Sequence, residues 1–184
     1  MNFRTQLRDK TNLHHQNAEK ATTRFASIET LNGYSVFLRG MHFLYTKYGR
    51  AIDQASLLFG VPPRSQKICK NLSLDIQSLS GNASSSPMGS EPLPTAEEAL
   101  LAIGYVFEGS SLGSTILLKR ARESSESQDM PHHYLSQMSG EARQRWPRVL
   151  KELSRRPMAG QKSILGACQV FNDFAQTMER IYGE

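Results

Sequence analysis

The 184-residue sequence is poor in several things, and each shortage excludes a class of protein. It has two cysteines, Cys69 and Cys168, far apart and without metal-binding spacing. A disulfide scaffold or a cysteine-ligated metal is therefore excluded, and two inert thiols in a reducing compartment are expected. No run approaches the ~20 consecutive apolar residues of a membrane helix. The N-terminus, MNFRTQLRDKTNLHHQ, lacks the apolar stretch and small-residue cleavage site of a secretory signal, so the reading is cytoplasmic, with no membrane partner. No window alternates polar and apolar residues as a strand does, so no sheet is expected. The net charge of +5 suits an acidic partner, but the Lys and Arg residues are dispersed among acids rather than run together with aromatics. Nucleic-acid binding is accordingly not expected.

What is present is helical spacing. Phe3, Leu7, Thr11, His14 and Ala18 recur at three- and four-residue steps and predict an amphipathic first helix ending near Thr23. Tyr34, Phe37, Leu38, Met41, Leu44, Tyr45, Tyr48 and Ile52 predict a longer second helix, stopped by the glycine and prolines of LFGVPPR. A third is expected over 65–79. The Ser-, Gly- and Pro-rich segment 80–94 reads as a mobile loop that need not divide domains. Thr95 then reads as the N-cap of a fourth helix, with Glu97 and Glu98 in its first turn, running to about Glu126. A short helix over 134–145, another opened by Trp146-Pro147, and a last one over 161–182 complete the expectation. One all-α domain spanning 1–184 is the result.

Two stretches carry candidate chemistry. In LRDKTNLHHQNAEKA, histidine is the common metal ligand and the side chain that titrates near neutrality. Helical phase sets His14 on the apolar face with Leu7 and Ala18, and His15 on its flank near Arg8, Thr11 and Glu19. Glu19, one turn beyond His15, can hold the ring's far nitrogen. A structural or solvated histidine is the other reading of the same pattern. In GYVFEGSSLGSTILLKRA, Gly109 and Gly113 lie inside a helix, where each costs about 1 kcal/mol relative to alanine. Either another helix packs closely there, with Ser110, Ser111 and Ser114 as small neighbours, or a flat ligand lies on bare backbone. Lys119, Arg120 and Arg122 follow and can meet carboxylates. An imidazole on one helix, a side-chain-poor surface on another and cations on both are what a haem requires.

These two stretches together resemble the haem oxygenase family, in its bacterial biliverdin-producing branch. Leu7-Arg8, Thr11, His15 and Glu19 match the family's N-terminal pattern, and YVFEGSSLGSTIL is similar to its EGS-x-LGG motif. Arg145-Trp146 and ACQVFNDF, with Ala167 and Phe171, are weaker matches. The resemblance implies a helical bundle holding a haem between the N-terminal proximal helix and a kinked, glycine-containing distal helix. It implies His15 as the iron ligand, with His14 as fallback, and Gly109, Gly113 and Ser114 on the distal side. Arg8, Thr11, Glu19, Lys119 and Arg120 would complete the haem site. The haem would be both substrate and cofactor, cleaved with O2 to biliverdin, CO and ferrous iron. Electrons would come from a ferredoxin or flavodoxin, and a phytochrome could use the biliverdin. Two departures stand out: Ser114 replaces a second glycine, and Asn12 follows Thr11 where a basic residue is expected. A haem binder of the same fold without turnover, or an all-α interaction or regulatory module, are the competing expectations.

Overall fold

The structure is a computed structural model that describes residues 2–80, 94, 96–157 and 160–184. The described residues form six α-helices and no strands: α1 (Phe3–Phe25), α2 (Leu31–Leu58), α3 (Ser65–Ser80), α4 (Glu97–Glu123), α5 (His133–Arg155) and α6 (Gln161–Tyr182). The loop expected over 80–94 lies outside the described residues, apart from Ser80, which closes α3, and Pro94. The Thr95 cap also lies outside them. Ala96 occupies the cap position of α4, with no side-chain hydrogen bond.

The start of α1 is capped locally, by the Asn2 carboxamide accepting from Thr5 N at 3.0 Å. The end of α2 follows from its glycine. Gly60 takes φ +67°, Gly60 N donates to Leu57 O, and Val61 N donates to Ser56 O at 2.9 Å. That pair of bonds is the Schellman motif, which needs a residue without a Cβ penalty at the left-handed position.

Four other helix starts are satisfied by carboxylates borrowed from elsewhere, that of α6 by Glu98 of α4, which accepts from Gly160 N at 2.9 Å. Asp53 of α2 accepts from Arg64 N and Ser65 N at the start of α3. Asp75 of α3, fully buried, accepts from His133 N at 3.0 Å and Tyr134 N at 2.9 Å at the start of α5. Glu126, beyond the end of α4, accepts from Leu31 N at the start of α2. Orphan amide donors and the positive end of a helix both favour an acid at each of these places.

Two boundaries differ from expectation. The fourth helix ends at Glu123 rather than Glu126, where Ser124 Oγ donates to Glu29 O and turns the chain away. The two helices expected on either side of Trp146-Pro147 are one, with Pro147 in its interior. Ala142, Arg145, Val149 and Leu153 are buried in a stripe that passes Pro147 in phase, while the proline ring is exposed. Burial of that stripe outweighs the backbone bond that proline removes.

Buried side chains from all six helices make one contiguous cluster centred on α2, with Tyr34, Leu38, Tyr45 and Ile52 almost wholly enclosed. Helix α1 packs chiefly on α6, and α4 packs on α5, α6 and α2. Among the described residues α4 alone is long and apolar enough to cross a membrane by length and composition. Its Leu101, Ile103, Phe107 and Leu118 are buried in the bundle.

Candidate functional site

Helices α1 and α4 both pack on α6, yet they make next to no contact with each other. A cavity of about 430 Å³ lies between them, within the range of small-molecule and cofactor sites. Its lining comes from α1, α2, α4, α5 and α6 and is largely apolar. Phe37, Met41 and Leu44 contribute from α2, Trp146 from α5, and Phe171 and Phe174 from α6.

The histidine pair divides cleanly. The His14 ring is turned to α6, where Nδ1 lies 2.9 Å from Asn172 Oδ1, and it does not line the cavity. His15 does, with its side chain 53% exposed and its ring edge-on to Phe171 at 5.4 Å between centroids. Its Nδ1 is 3.6 Å from Glu19 Oε1, close enough for ion pairing and too long for a hydrogen bond. Glu19 also lines the cavity. Thr11 lines it too, but its hydroxyl is committed to Leu7 O at 2.7 Å. Arg8 lies at the same cavity, with its guanidinium beside Asp9 at 3.0 Å.

On α4 the helix is unbroken through both glycines. Gly109, Ser110 and Ser114 line the cavity; Gly113 does not, and it faces open space. Among the described residues a Cβ at Gly109 would meet only the Trp146 ring, at an ordinary 3.5 Å, so no close approach of another helix requires a glycine there. Three serines in this stretch turn their hydroxyls onto backbone carbonyls: Ser110 to Phe107, Ser111 to Glu108 and, at 3.3 Å, Ser114 to Ser110. Such back-bonding competes with the helix ladder at its most side-chain-poor point.

Lys119 and Arg120 stand apart from this site. Lys119 lies 3.8 Å from Glu123 and Arg120 is bonded to Glu29 at 2.9 Å, both exposed, and neither lines the cavity. The chain past Leu117 has left the cavity, and Arg120 reaches Glu29 in the α1–α2 connection while Lys119 stays with its own helix. The cationic side of the cavity is instead the N-terminal part of α1. Burial raises the phenol of cavity-lining Tyr105 above its ordinary value, against the lowering fields of Arg4 and Arg8.

Sequence reasoning missed Tyr105, Phe174 and the α2 contribution to the cavity. Phe37, Met41 and Leu44 were legible as a buried stripe, and nothing in the spacing separates a stripe that fills a core from one that floors a cavity. It also missed a buried acid on α4, Glu108, whose signal was a lone charge between Phe107 and Gly109 in an apolar stretch. Among the described residues no three His, Cys, Asp or Glu side chains converge as a metal site would require. What the geometry offers is one imidazole at an aromatic cavity with a bare helical wall. Compared with protein-family models and with curated proteins, the chain matches none.

Proposed function

We propose that the cavity binds haem and that the protein is a haem oxygenase, cleaving the bound macrocycle to biliverdin, CO and ferrous iron in the cytoplasm. The observation that carries this reading is His15. It is a half-exposed imidazole on an aromatic cavity, and that cavity separates α1 from the Gly109–Ser114 face of α4.

The side chains fit such a group. His15 would hold the iron through Nε2, because Nδ1 is the nitrogen directed toward Glu19. Arg8 is the cation placed for the acidic edge of the macrocycle, whereas Lys119 and Arg120 are not. The aromatic side chains of α2, α5 and α6 exclude water and receive the apolar ring edges. A bound haem supplies an iron that takes up O2 and, in the same molecule, the ring to be oxidised.

The α4 wall favours oxygenase chemistry by what it withholds. Its cavity residues present hydroxyls, backbone and apolar groups, and Tyr105 keeps its proton. The acid in this stretch, Glu108, is 1% exposed and bonded to two arginines, away from the cavity lining. No strong acid therefore stands on that wall to break the O–O bond early, and ordered water can relay protons. The positive surface suits an acidic electron donor such as a ferredoxin or flavodoxin, and a phytochrome is a fitting user of the product.

Ser114 favours a second reading, a haem binder without turnover. It is 2% exposed, lines the cavity, and stands where many haem oxygenases carry glycine. One experiment separates the readings. The apo protein is titrated with hemin, the Soret band is followed, and ascorbate or a ferredoxin system is then added in air. Saturable binding followed by Soret loss, a broad red absorbance and released iron is expected. A Soret band that survives reduction would favour the Ser114 reading. Absence of saturable binding would sink both, and a His15→Ala protein with an unchanged haem spectrum and full turnover would overturn the assignment of His15 as the iron ligand.

A further inference from the structure

Glu108 and Arg145 each immediately precede a cavity residue, Gly109 on α4 and Trp146 on α5. Both carboxylate oxygens of Glu108 accept from Arg145, from Nη2 to Oε1 at 2.5 Å and from Nε to Oε2 at 2.9 Å. Arg64 Nη2 adds a bond to Oε2 at 2.9 Å. Arg145 further donates to Pro62 O and Ser56 Oγ, and Arg64 donates to Glu141 at 2.9 Å. One enclosed acid thus ties α4 to α5 and to the turn between α2 and α3. The next residues along then meet, since a Cβ on Gly109 would stand 3.5 Å from Trp146 Cη2.

Stability alone does not account for such a cluster. Desolvation offsets the attraction within a buried ion pair, and apolar replacements of similar volume are often neutral or stabilising. Apolar contact is non-directional and leaves a helix pair free to slide and rotate. A two-point guanidinium–carboxylate pair fixes both the distance and the rotation. We propose that Glu108, Arg145 and Arg64 are positioning residues, setting the bare α4 wall and the Trp146 indole at a fixed separation across the cavity's edge. The consequence for haem rests on the function proposed above; the consequence for the indole does not.

Trp146 is the chain's one tryptophan, so the protein's indole emission reads this position alone. The full chain is compared with the triple variant Arg64→Met/Glu108→Leu/Arg145→Met and with Arg145→Lys, which keeps the charge and loses the two-point geometry. Far-UV circular dichroism checks folding, acrylamide quenching of the apo protein reads the indole, and a Soret titration reads hemin. In the triple variant, helix content is retained, emission shifts to the red and quenching rises. Hemin affinity falls about tenfold, because the wall and the indole that receive the ring are no longer pre-organised at one separation. Arg145→Lys is intermediate. A triple variant with wild-type quenching and wild-type hemin affinity would overturn the proposal, because apolar packing would then suffice. If the triple variant loses its helices, Arg145→Lys decides alone, and unchanged quenching and affinity overturn the proposal. If the wild type takes up no hemin while the indole still loosens in the variants, the haem reading falls and the positioning role stands.

Discussion

Gly104 and Gly109 stand on the same helix little more than a turn apart, and they are glycine for opposite reasons. A Cβ at Gly104 would lie 2.4 Å from Ala55 Cβ and 2.7 Å from the Phe59 ring, both enclosed in the core. Only hydrogen fits there, and α4 reaches α2 because of it. At Gly109 the nearest atom to such a Cβ is the Trp146 ring at 3.5 Å, and at Gly113 nothing lies within 4 Å. Close packing thus accounts for the glycine that drew no notice in the sequence. Gly109 and Gly113 carry a helix penalty that no close contact among the described residues explains. Bareness toward a ligand is the use proposed for Gly109, which lines the same cavity as His15.

This contrast can be tested directly, starting from the change with the largest effect. Gly109→Phe fills the α4 side of the cavity without meeting the core. Hemin affinity should fall about 100-fold, roughly 2.7 kcal/mol, with an unchanged urea midpoint. A Soret titration that matches the wild type would end the ligand reading of Gly109. Gly104→Ala should do the reverse, destabilising by about 2 kcal/mol net of alanine's better helix propensity, because Ala55 sits on a rigid backbone. Urea unfolding measures this, and the hemin affinity of the folded fraction should be preserved. Gly113→Ala should raise stability by about 1 kcal/mol, seen as a higher urea midpoint at constant slope. Destabilisation instead would mean that its open surroundings are not open. Ser114→Ala removes only a long bond to Ser110 O, so stability should stay within about 0.5 kcal/mol and hemin should still bind.

The sequence carried the helices far better than it carried their partners. Apolar spacing is a property of one helix, and α1, α2, α3 and α6 emerge close to their expected bounds, with Phe3, Tyr34, Ile68 and Ile164 buried on them. The break expected before Pro147 came from weighing a local signal above a stripe that continued past it. Arg145 is anchored by Glu108 before the proline and Arg148 donates to Gly60 O after it, so tertiary contacts hold the helix on both sides of Pro147. Helical rotation sets His14 and His15 on different faces of α1, but the preference for His15 comes from the register of the resemblance and not from that rotation. Lys119 and Arg120 were misplaced because no spacing tells where a helix leaves a cavity. Arg64, Glu108 and Arg145 are distant in sequence, and their meeting is a fact of packing alone.

The borrowed carboxylates at the helix starts have a consequence in time. First-turn amides of a helix ordinarily exchange their hydrogens quickly, since they have no partner within the helix. Those of His133 and Tyr134 are bound to Asp75 of α3, so they are protected only while α3 is docked. Arg64 and Ser65 depend in the same way on Asp53 of α2. The sequence of dependence runs from α2 to α3 to α5, and α5 is the helix that brings Trp146 to the cavity. The amides that open α5 therefore report on a neighbour's attachment rather than on fraying of their own helix.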